Sequence, residues 1–312
     1  MTKYLIGIEG GATKSKCAVA DLNGKIITET KGKPSNLLVS GVEQAALNLF
    51  ELIEACLEKI DAGFDEVQQI VIGSAGAGRS EHAGQLKNGL IKYAAGRNIN
   101  LNSVVVVSDA MITLEGAFPD KPGCILICGT GSVLFGRDDK NIIHRVGGFG
   151  RLIGDEGSGY SIGRKGLIAV AKNLDQRGEA TELSKILKDN FSINSADELI
   201  KRVYDEKFDI SSFAESVIYA AGRGDKISAK ILDEEADEII VLMKTILKKL
   251  SVSKTRIVFT GSLINYENFY SNMIKEKMKK ILPGIKAVKP AGTPVAGAIQ
   301  IAKKLTLSSG KE

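Results

Sequence analysis

The sequence has no tryptophan and, among 312 residues, only two histidines, six prolines and four cysteines. The histidines, His82 and His144, are far apart and have no evident partners, so we predict no Ser/His/Asp set. The cysteines, at positions 17, 56, 124 and 128, lack the spacing of metal ligands. Cys124 and Cys128 fall within an apolar segment and are interpreted as small core residues. A zinc protein and a histidine-dependent hydrolase are therefore disfavoured.

Long apolar runs and a strong charge of one sign are also missing. No run reaches the length of a membrane span, and the N-terminal segment enters an apolar strand without the pattern of a signal peptide. The net charge is only +5, and the lysine-rich segments have helical spacing, which is typical of solvated helix faces. We therefore expect a cytoplasmic protein that binds neither nucleic acid nor membranes. The length suits about two domains, each with its own core.

Glycine is abundant, with 34 residues that cluster where predicted strands end. The first three predicted strands cover residues 4–8, 14–20 and 25–30. Three more, in the same order, cover residues 124–128, 133–137 and 142–146. Each half thus begins with strand, Gly/Thr/Ser loop, strand, turn and strand. This weak repeat suggests two related α/β domains, with two unrelated β-meanders as the alternative, and the Pro/Gly-rich segment 119–123 is predicted to separate them.

Two predicted apolar strands are followed by residues of types that take part in catalysis or ligand binding. Residues 104–107 lead to Asp109, and residues 124–128 lead to the loop Gly129–Ser132. Strands that are apolar throughout are expected in the middle of a helix-covered sheet, whose ligands bind at the carboxyl ends of the strands. The sequence therefore predicts one carboxylate beside a set of backbone amides, which suits the transfer of an anionic group.

The two Gly/Thr/Ser hairpin tips are predicted to bind phosphate, because their amides point outward and Thr13, Thr130 and Ser132 add hydroxyl donors. A third glycine turn, Gly261–Ser262, follows another apolar strand. Each tip alone has an ordinary explanation, since hairpins need glycine. Together they suggest a nucleotide held between two domains. A Walker A loop is excluded because no helix follows the first tip, and the second tip lacks the third glycine of a dinucleotide fingerprint.

Four carboxylates are candidates for function. Asp109 either takes the proton from a substrate hydroxyl as a phosphoryl group arrives, or only caps the following helix. Glu9, beside the first tip, is predicted to hold Mg²⁺ directly or through water. Asp155 and Glu156 lie between glycines, and either bind the hydroxyls of a sugar or supply negative charge at a helix N-terminus.

Four motifs together resemble a known family. They are Ile6-Gly-Ile-Glu-Gly-Gly-Ala-Thr-Lys14, Ser108-Asp109-Ala110, Gly129-Thr-Gly-Ser132, and the glycine-dense segment from Gly147 to Ser158. The set resembles the N-acetylglucosamine kinase group of the BadF/BadG/BcrA/BcrD-type ATPase family, within the sugar kinase–Hsp70–actin superfamily. The resemblance extends from Tyr4 to about Leu305. It implies an α/β fold of two RNase H-like (actin-like ATPase) domains, with ATP and sugar in a central interdomain cleft.

The resemblance also implies domain limits and site residues. The N-terminal domain would cover 1–118, and the C-terminal domain, with a helical insertion, 119–292; a helix at 293–306 would pack back onto the first domain. The implied ATP-binding residues are Gly10, Gly11, Thr13, Gly129, Thr130, Ser132, Ala221, Gly261 and Ser262, with a loose match at Ala221. The implied sugar-binding residues are Asn36, Asp109, Gly131, Gly148, Asp155 and Glu156. Asp109 would act as the base toward the 6-hydroxyl.

Two departures from the family concern the aromatic wall against the sugar. Leu37 and Leu38 follow Asn36 where the family often has tryptophan, and Phe149 stands where tryptophan is common. A roomier pocket would admit a 3-O-lactyl group, so the expected substrates are N-acetylglucosamine, N-acetylmuramic acid (hence cell wall recycling) and glucosamine. A homodimer is expected because symmetric dimers are common. The alternative function is an ATPase that activates an electron-transfer dehydratase or reductase, in which cysteines share an iron–sulfur cluster across a dimer.

Overall fold

The fold is described from a computed structural model that covers residues 3–11, 13–74 and 80–309. Contacts within the chain divide it into two compact units. Unit 1 runs to Lys121 and resumes at Lys289, while unit 2 spans Pro122–Val288. The first change of unit thus falls within the Pro/Gly-rich segment 119–123.

Each unit contains one five-stranded sheet. The strands of unit 1 are β1 (Tyr4–Gly10), β2 (Ser15–Asp21), β3 (Ile26–Gly32), β4 (Val67–Ser74) and β5 (Val104–Ser108). Those of unit 2 are β6 (Gly123–Cys128), β7 (Ser132–Arg137), β8 (Ile143–Gly147), β9 (Thr255–Thr260) and β10 (Ile285–Ala287). The spatial orders, β3-β2-β1-β4-β5 and β8-β7-β6-β9-β10, are the same, as is the pattern of two antiparallel and two parallel pairs. The predicted fold class, two RNase H-like α/β domains, is confirmed.

Helices cover both sheets. In chain order they are α1 (Leu37–Ser40), α2 (Val42–Leu57), α3 (Ser80–Ala95), α4 (Asp109–Ala117), α5 (Gly159–Leu174), α6 (Glu182–Phe191), α7 (Ala196–Tyr204), α8 (Phe213–Gly222), α9 (Lys226–Leu250), α10 (Phe269–Ile281) and α11 (Pro294–Ser309). Helices α5 to α9 lie between β8 and β9 in the chain and form the helical insertion of unit 2. Within the described ranges, no helix has the length and apolar character needed to cross a membrane.

Unit 1 buries its sheet between two helix layers. Helices α2 and α3 cover the face that carries Ile6 and Ile8, while α4 and α11 cover the face that carries Leu5. This division follows from the alternation of side chains along β1. Gly7 allows the last helix to approach closely, because a Cβ at that position would lie 2.8 Å from the backbone N of Ile299.

The position of β5 corrects one sequence expectation. Because the run 104–107 is apolar throughout, it predicted a strand in the middle of the sheet, but β5 is an edge strand beside β4. Val106 packs into the core under α2 and α3, whereas Val105 and Val107 pack into the core under α4 and α11. Since helices cover both faces of this edge, its sequence has the apolar pattern of a central strand. The second apolar run forms β6, which is central.

Candidate functional site

The carboxyl ends of β1, β4 and β5 lie side by side in unit 1. Gly10 pairs with Ser74, and Ser74 pairs with Ser108. Neighbouring strands are spaced by about 4.8 Å, so Gly10 and Ser108 are about 10 Å apart. Glu9 directly precedes Gly10 in the chain, and Asp109 directly follows Ser108. The structure therefore brings the two predicted carboxylates of unit 1 to one edge of the sheet.

Asp109 is the first residue of α4 and follows β5 directly. The cap of α4 is Ser108, whose side chain accepts a hydrogen bond from Met111 N at 3.2 Å. Asp109 Oδ1 accepts one from Ala110 N at 2.9 Å, and its side chain is half-buried. Because Ser108 supplies the cap, helix capping alone does not account for Asp109.

The tip of the β1–β2 hairpin is held against the loop that precedes α1. The hydroxyls of Ser15 and Ser35 are buried and 2.7 Å apart, and Ser35 N donates to Gly11 O at 3.2 Å. Gly10 permits this approach, because a Cβ there would lie 2.6 Å from Ser35 Oγ. Asn36 follows and is buried. The predicted sugar ligand Asn36 thus lies beside the predicted phosphate-binding tip of unit 1.

Glu9 and Gly10 belong to β1, although the sequence predicted that the strand ends at residue 8. The strand continues because β2 and β4 both pair with it as far as Gly10. Glu9 is half-buried and Thr13 is exposed, while Ala12 of the same motif lies outside the described residues. Among the residues described, no three His, Cys, Asp or Glu side chains form a group that could hold a metal ion. A Mg²⁺ ion at Glu9 would therefore take most of its ligands from phosphate and water, as this ion often does.

In unit 2, the tip between β6 and β7 docks on the first turn of α5. Gly159 N donates to Gly129 O at 2.7 Å, and Tyr160 N donates to Thr130 O at 3.1 Å. The first amides of a helix have no partner within the helix, and here the tip supplies their acceptors. Gly129 N donates to Gly131 O at 2.9 Å, and Thr130 is exposed. The start of α5 therefore fixes the predicted phosphate-binding tip.

The end of β9 meets the same tip. Gly261 has a φ of 113°, and a Cβ there would lie 2.2 Å from Cys128 O. A Cβ on Gly129 would be 3.7 Å from Ser262 N, and Ser262 is exposed. The predicted nucleotide-binding residues Gly129, Gly261 and Ser262 are therefore neighbours.

The glycine-dense loop between β8 and α5 brings Asp155 to the tip. A Cβ on Gly131 would lie 2.7 Å from Asp155 Oδ2, while Asp155 Oδ1 accepts a hydrogen bond from Gly150 N at 3.2 Å. Glu156 is exposed, and its backbone O accepts from Ser132 Oγ at 2.5 Å. The hydroxyl of Ser132, predicted to bind phosphate, is thus engaged with this loop. Of the two adjacent carboxylates, only Asp155 is shown beside the tip.

The alternative function for Asp155 and Glu156 is negative charge at a helix N-terminus, here that of α5. The cap of α5 is Ser158, which accepts from Ser161 N at 3.3 Å. Both carboxylates precede this cap, and the first turn of α5 contains no acidic residue. The two carboxylates therefore lie just before the helix and not within its first turn.

Gly148 lies at the start of the same loop with a φ of 72°. Its carbonyl accepts a hydrogen bond from the guanidinium of Arg145, which also donates through Nε to Gly147 O at 3.0 Å. The neighbouring Phe149 has 71% of its surface exposed, and the Arg145 guanidinium lies 5.9 Å from its ring centre. The residue predicted to replace the usual tryptophan is thus an exposed aromatic ring on a braced loop.

Ala221, predicted to lie near the adenine, is a helical residue of α8. Its side chain is buried in the core of unit 2. Residues 222–224, which end this helix and follow it, are exposed. Any adenine contact from this turn would therefore come from these exposed residues, not from the Ala221 side chain.

Glu235 on α9, which was not among the predicted residues, has a side chain that is only 2% exposed. One oxygen accepts from Gly157 N at 2.5 Å, and the other lies 2.9 Å from Lys165 Nζ. The signal was present in the sequence. Glu235 lies one helical turn from both Ile231 and Ile239, on the apolar face of a long amphipathic helix, where a carboxylate is unexpected.

The fold defines the class: a two-domain α/β protein of the RNase H-like, actin-like ATPase type. A solved structure of a candidate N-acetylglucosamine kinase from Chromobacterium violaceum has a TM-score of 0.76 with this chain at 19% identity, covering 96% of this chain and 99% of that one. More particularly, the sequence pattern of the BadF/BadG/BcrA/BcrD ATPase family matches residues 6–302, and the chain belongs to this family.

Two curated relatives match over nearly their whole length. An N-acetylmuramic acid/N-acetylglucosamine kinase from Clostridium acetobutylicum is 34% identical over 306 residues, covering 96% of this chain and 98% of the relative. An N-acetyl-D-glucosamine kinase from Dictyostelium discoideum is 29% identical over 314 residues, with the same two coverages. The predicted family resemblance is therefore confirmed.

Proposed function

We propose that this protein is an ATP-dependent amino-sugar kinase that phosphorylates the 6-hydroxyl of N-acetylglucosamine or a close relative, such as N-acetylmuramic acid or glucosamine. The observation that carries the proposal is the position of Asp109. Asp109 follows β5 at the side of the sheet where the carboxyl ends of β1 and β4 also lie. Ser108, and not Asp109, supplies the helix cap. The names of the two relatives support the same class of substrate.

In this proposal Asp109 is the general base. Its carboxylate accepts the proton of the sugar hydroxyl while the oxygen forms a bond to the γ-phosphorus and the bond from that phosphorus to the ADP oxygen breaks. A positioned base of this kind is worth about 10²–10⁴-fold in rate. Asn36 and Asp155 would bind the sugar hydroxyls, and Gly131 and Gly148 would line the pocket.

The two hairpin tips would hold the phosphates of ATP. Thr13 and Thr130 are exposed at these tips and would donate hydroxyl hydrogen bonds together with the amides of their loops. Glu9 would hold Mg²⁺, directly or through water. The ion would supply positive charge against the phosphate oxygens.

The cysteines weigh against an activator of a dehydratase or reductase. The four cysteines of the chain are free thiols, and each is fully buried. Burial raises the pKa of Cys124 to about 11, and burial together with the charge of Glu235 raises the pKa of Cys128 to about 12. The pKa of Cys56 is instead lowered to about 7, chiefly by its hydrogen bond with Cys17, but this thiol is also buried. Buried thiols are poor ligands for an iron–sulfur cluster at a dimer surface, because a ligand there must be accessible.

The experiment is ADP release with Mg-ATP over a panel of N-acetylglucosamine, N-acetylmuramic acid, glucosamine, N-acetylmannosamine and glucose. We expect ADP release that depends on an amino sugar. Release that is the same with every sugar and without sugar would contradict the kinase and favour the activator ATPase. Equal turnover of N-acetylmuramic acid and of sugars without the lactyl group would remove the support for a pocket adapted to that group. The homodimer and the cytoplasmic location stay predictions.

A further inference from the structure

The buried carboxylate of Glu235 has three hydrogen-bond donors, all within unit 2. Gly157 N donates to Oε2 at 2.5 Å, while Ser161 Oγ and Lys165 Nζ lie 2.8 Å and 2.9 Å from Oε1. A buried charge is costly unless it is paired and hydrogen-bonded, and these donors meet that requirement. Although burial alone would lower the pKa of Lys165, its bonds to Glu235 and Glu234 raise it on balance. The network therefore pairs the Glu235 carboxylate with the Lys165 side chain.

The carbonyl of Gly157 is held as well as its N–H. Tyr270 OH donates to Gly157 O at 2.9 Å, and Cys128 Sγ lies 3.4 Å from that oxygen. Gly157 has a φ of 78°, and a Cβ there would lie 2.4 Å from Ile239 Cδ1. Gly157 thus has both its N–H and its C=O, which belong to two successive peptide groups, fixed by buried side chains.

In the chain, Gly157 lies between the loop that carries Asp155 and the start of α5, which holds the tip. On its N-terminal side are Asp155, which reaches the tip at Gly131, and Glu156, which accepts from Ser132. On its C-terminal side is Gly159, whose amide holds the tip. A movement of Gly157 would therefore displace Asp155 relative to the tip.

We infer that Glu235 is a positioning residue, which sets the place of the Asp155 carboxylate by holding the Gly157 amide. As a statement about sugar binding, this inference rests on the proposed function. The tip between β6 and β7 has further support from the start of α5. The glycine-dense loop that carries Asp155 therefore depends more strongly on Glu235 than this tip does. Loss of the contact is thus expected to change sugar binding more than ATP binding.

The test compares Glu235→Leu with the control Glu234→Gln. Glu234 also pairs with Lys165, at 3.0 Å, but its side chain is 49% exposed. In the leucine variant we expect the KM for the sugar to rise about tenfold, with the KM for ATP and kcat within about threefold of wild type, because the Gly157 amide loses its charge-assisted hydrogen bond, and Ser161 and Lys165 lose their bonds to the same carboxylate. Glu235→Gln retains an acceptor for Gly157 N and should restore most of the sugar KM. The control should match wild type, and an unchanged sugar KM in the leucine variant would overturn the inference.

A second readout does not depend on activity. Hydrogen exchange of the Gly157 amide should become about tenfold faster in Glu235→Leu, and not in Glu234→Gln, relative to amides of β6 in the same protein. If wild type phosphorylates no amino sugar, the proposed function fails, while unchanged exchange at Gly157 would separately overturn the inference. If the leucine variant does not fold, Tyr270→Phe removes the bond to Gly157 O and keeps the ring. It should raise the sugar KM about threefold, and no rise would count against the inference.

Discussion

The two units share one strand order but hold their hairpin tips by different means. In unit 1, the tip is braced by two neutral hydroxyls, Ser15 and Ser35. In unit 2, the tip is braced by the first amides of α5 and by a loop fixed on the buried carboxylate of Glu235. A neutral hydrogen bond contributes about 1 kcal/mol, whereas one to a charged group contributes about 1.5–3 kcal/mol. The same topology therefore does not imply the same sensitivity to substitution.

The carboxylates of the two units also differ in their setting. Asp109 lies at the junction of a strand and a helix, on the rigid frame of unit 1. Asp155 lies in a glycine-dense loop with a φ of 59°, and its position depends on hydrogen bonds from that loop. Helices and strands position a side chain more precisely than loops do, which suits a base that accepts a proton from one atom. A loop held by hydrogen bonds can carry groups that bind the substrate. We expect Asp109 of unit 1 to govern kcat and Asp155 of unit 2 to contribute mainly to the KM for the sugar.

The largest effect is expected for Asp109→Asn. The amide keeps the shape of the side chain but cannot accept the hydroxyl proton, so kcat should fall about 10²–10⁴-fold while the KM for the sugar changes little. Steady-state kinetics with Mg-ATP and N-acetylglucosamine provide the measurement. Asp189→Asn, at an exposed position of α6, is the matched control and should match wild type. A kcat within threefold of wild type for Asp109→Asn would remove this residue as the base.

Gly261→Ala tests the close approach that fixes the tip of unit 2. The new Cβ would lie 2.2 Å from Cys128 O at a φ of 113°, so the free energy of unfolding should fall by about 2 kcal/mol or more. Urea unfolding measures the change. Gly222→Ala is the control, because a Cβ there meets no atom within 4 Å. Equal stabilities of the two variants would show that the approach of β9 to the tip is not a constraint.

Asp155→Asn and Glu156→Gln separate the two adjacent carboxylates. Because Asp155 lies beside Gly131 and Glu156 is exposed, the first substitution should raise the KM for the sugar about 10- to 100-fold and the second less than threefold. Sugar titrations at saturating ATP measure both. A larger effect at Glu156, or a fall in kcat alone at Asp155, would contradict the division of roles between Asp109 and Asp155.

The smallest effect is expected for Ser35→Ala in unit 1. The substitution leaves the buried Ser15 hydroxyl without its partner, which should lower the free energy of unfolding by about 1 kcal/mol. Ser253→Ala, at an exposed position, should change it by less than about 0.5 kcal/mol. Thermal or urea unfolding of the three proteins suffices. A loss at Ser35 as large as that for Gly261→Ala would mean that the two tips are braced equally.

Much of the fold was predictable because its signals are local. Asp109 and Gly129 each come directly after a strand that is apolar in sequence. The glycine-dense loop could be recognised from a few residues. The sheet position of β5 was not predictable, because covering helices make an edge strand as apolar as a central one. Strand periodicity alone therefore does not give strand order.

The bracing of the site was not predictable either. Glu235 and Gly157 are separated by 78 residues, so no local pattern joins them. The engagement of Ser132 with Glu156 likewise depends on how a loop folds back over the tip. Sequence motifs identified the loops that carry candidate ligands, while the side chains that hold those loops required the structure.

The most direct test of the central claim is the identity of the product. Wild-type protein with Mg-ATP and N-acetylglucosamine should give a sugar whose phosphate is coupled to the protons on carbon 6 in a ¹H–³¹P NMR correlation. Asp109→Asn should give little or none of it in the same time. Phosphate on another hydroxyl, or ADP and free phosphate without a phosphorylated sugar, would contradict a 6-hydroxyl amino-sugar kinase with Asp109 as its base.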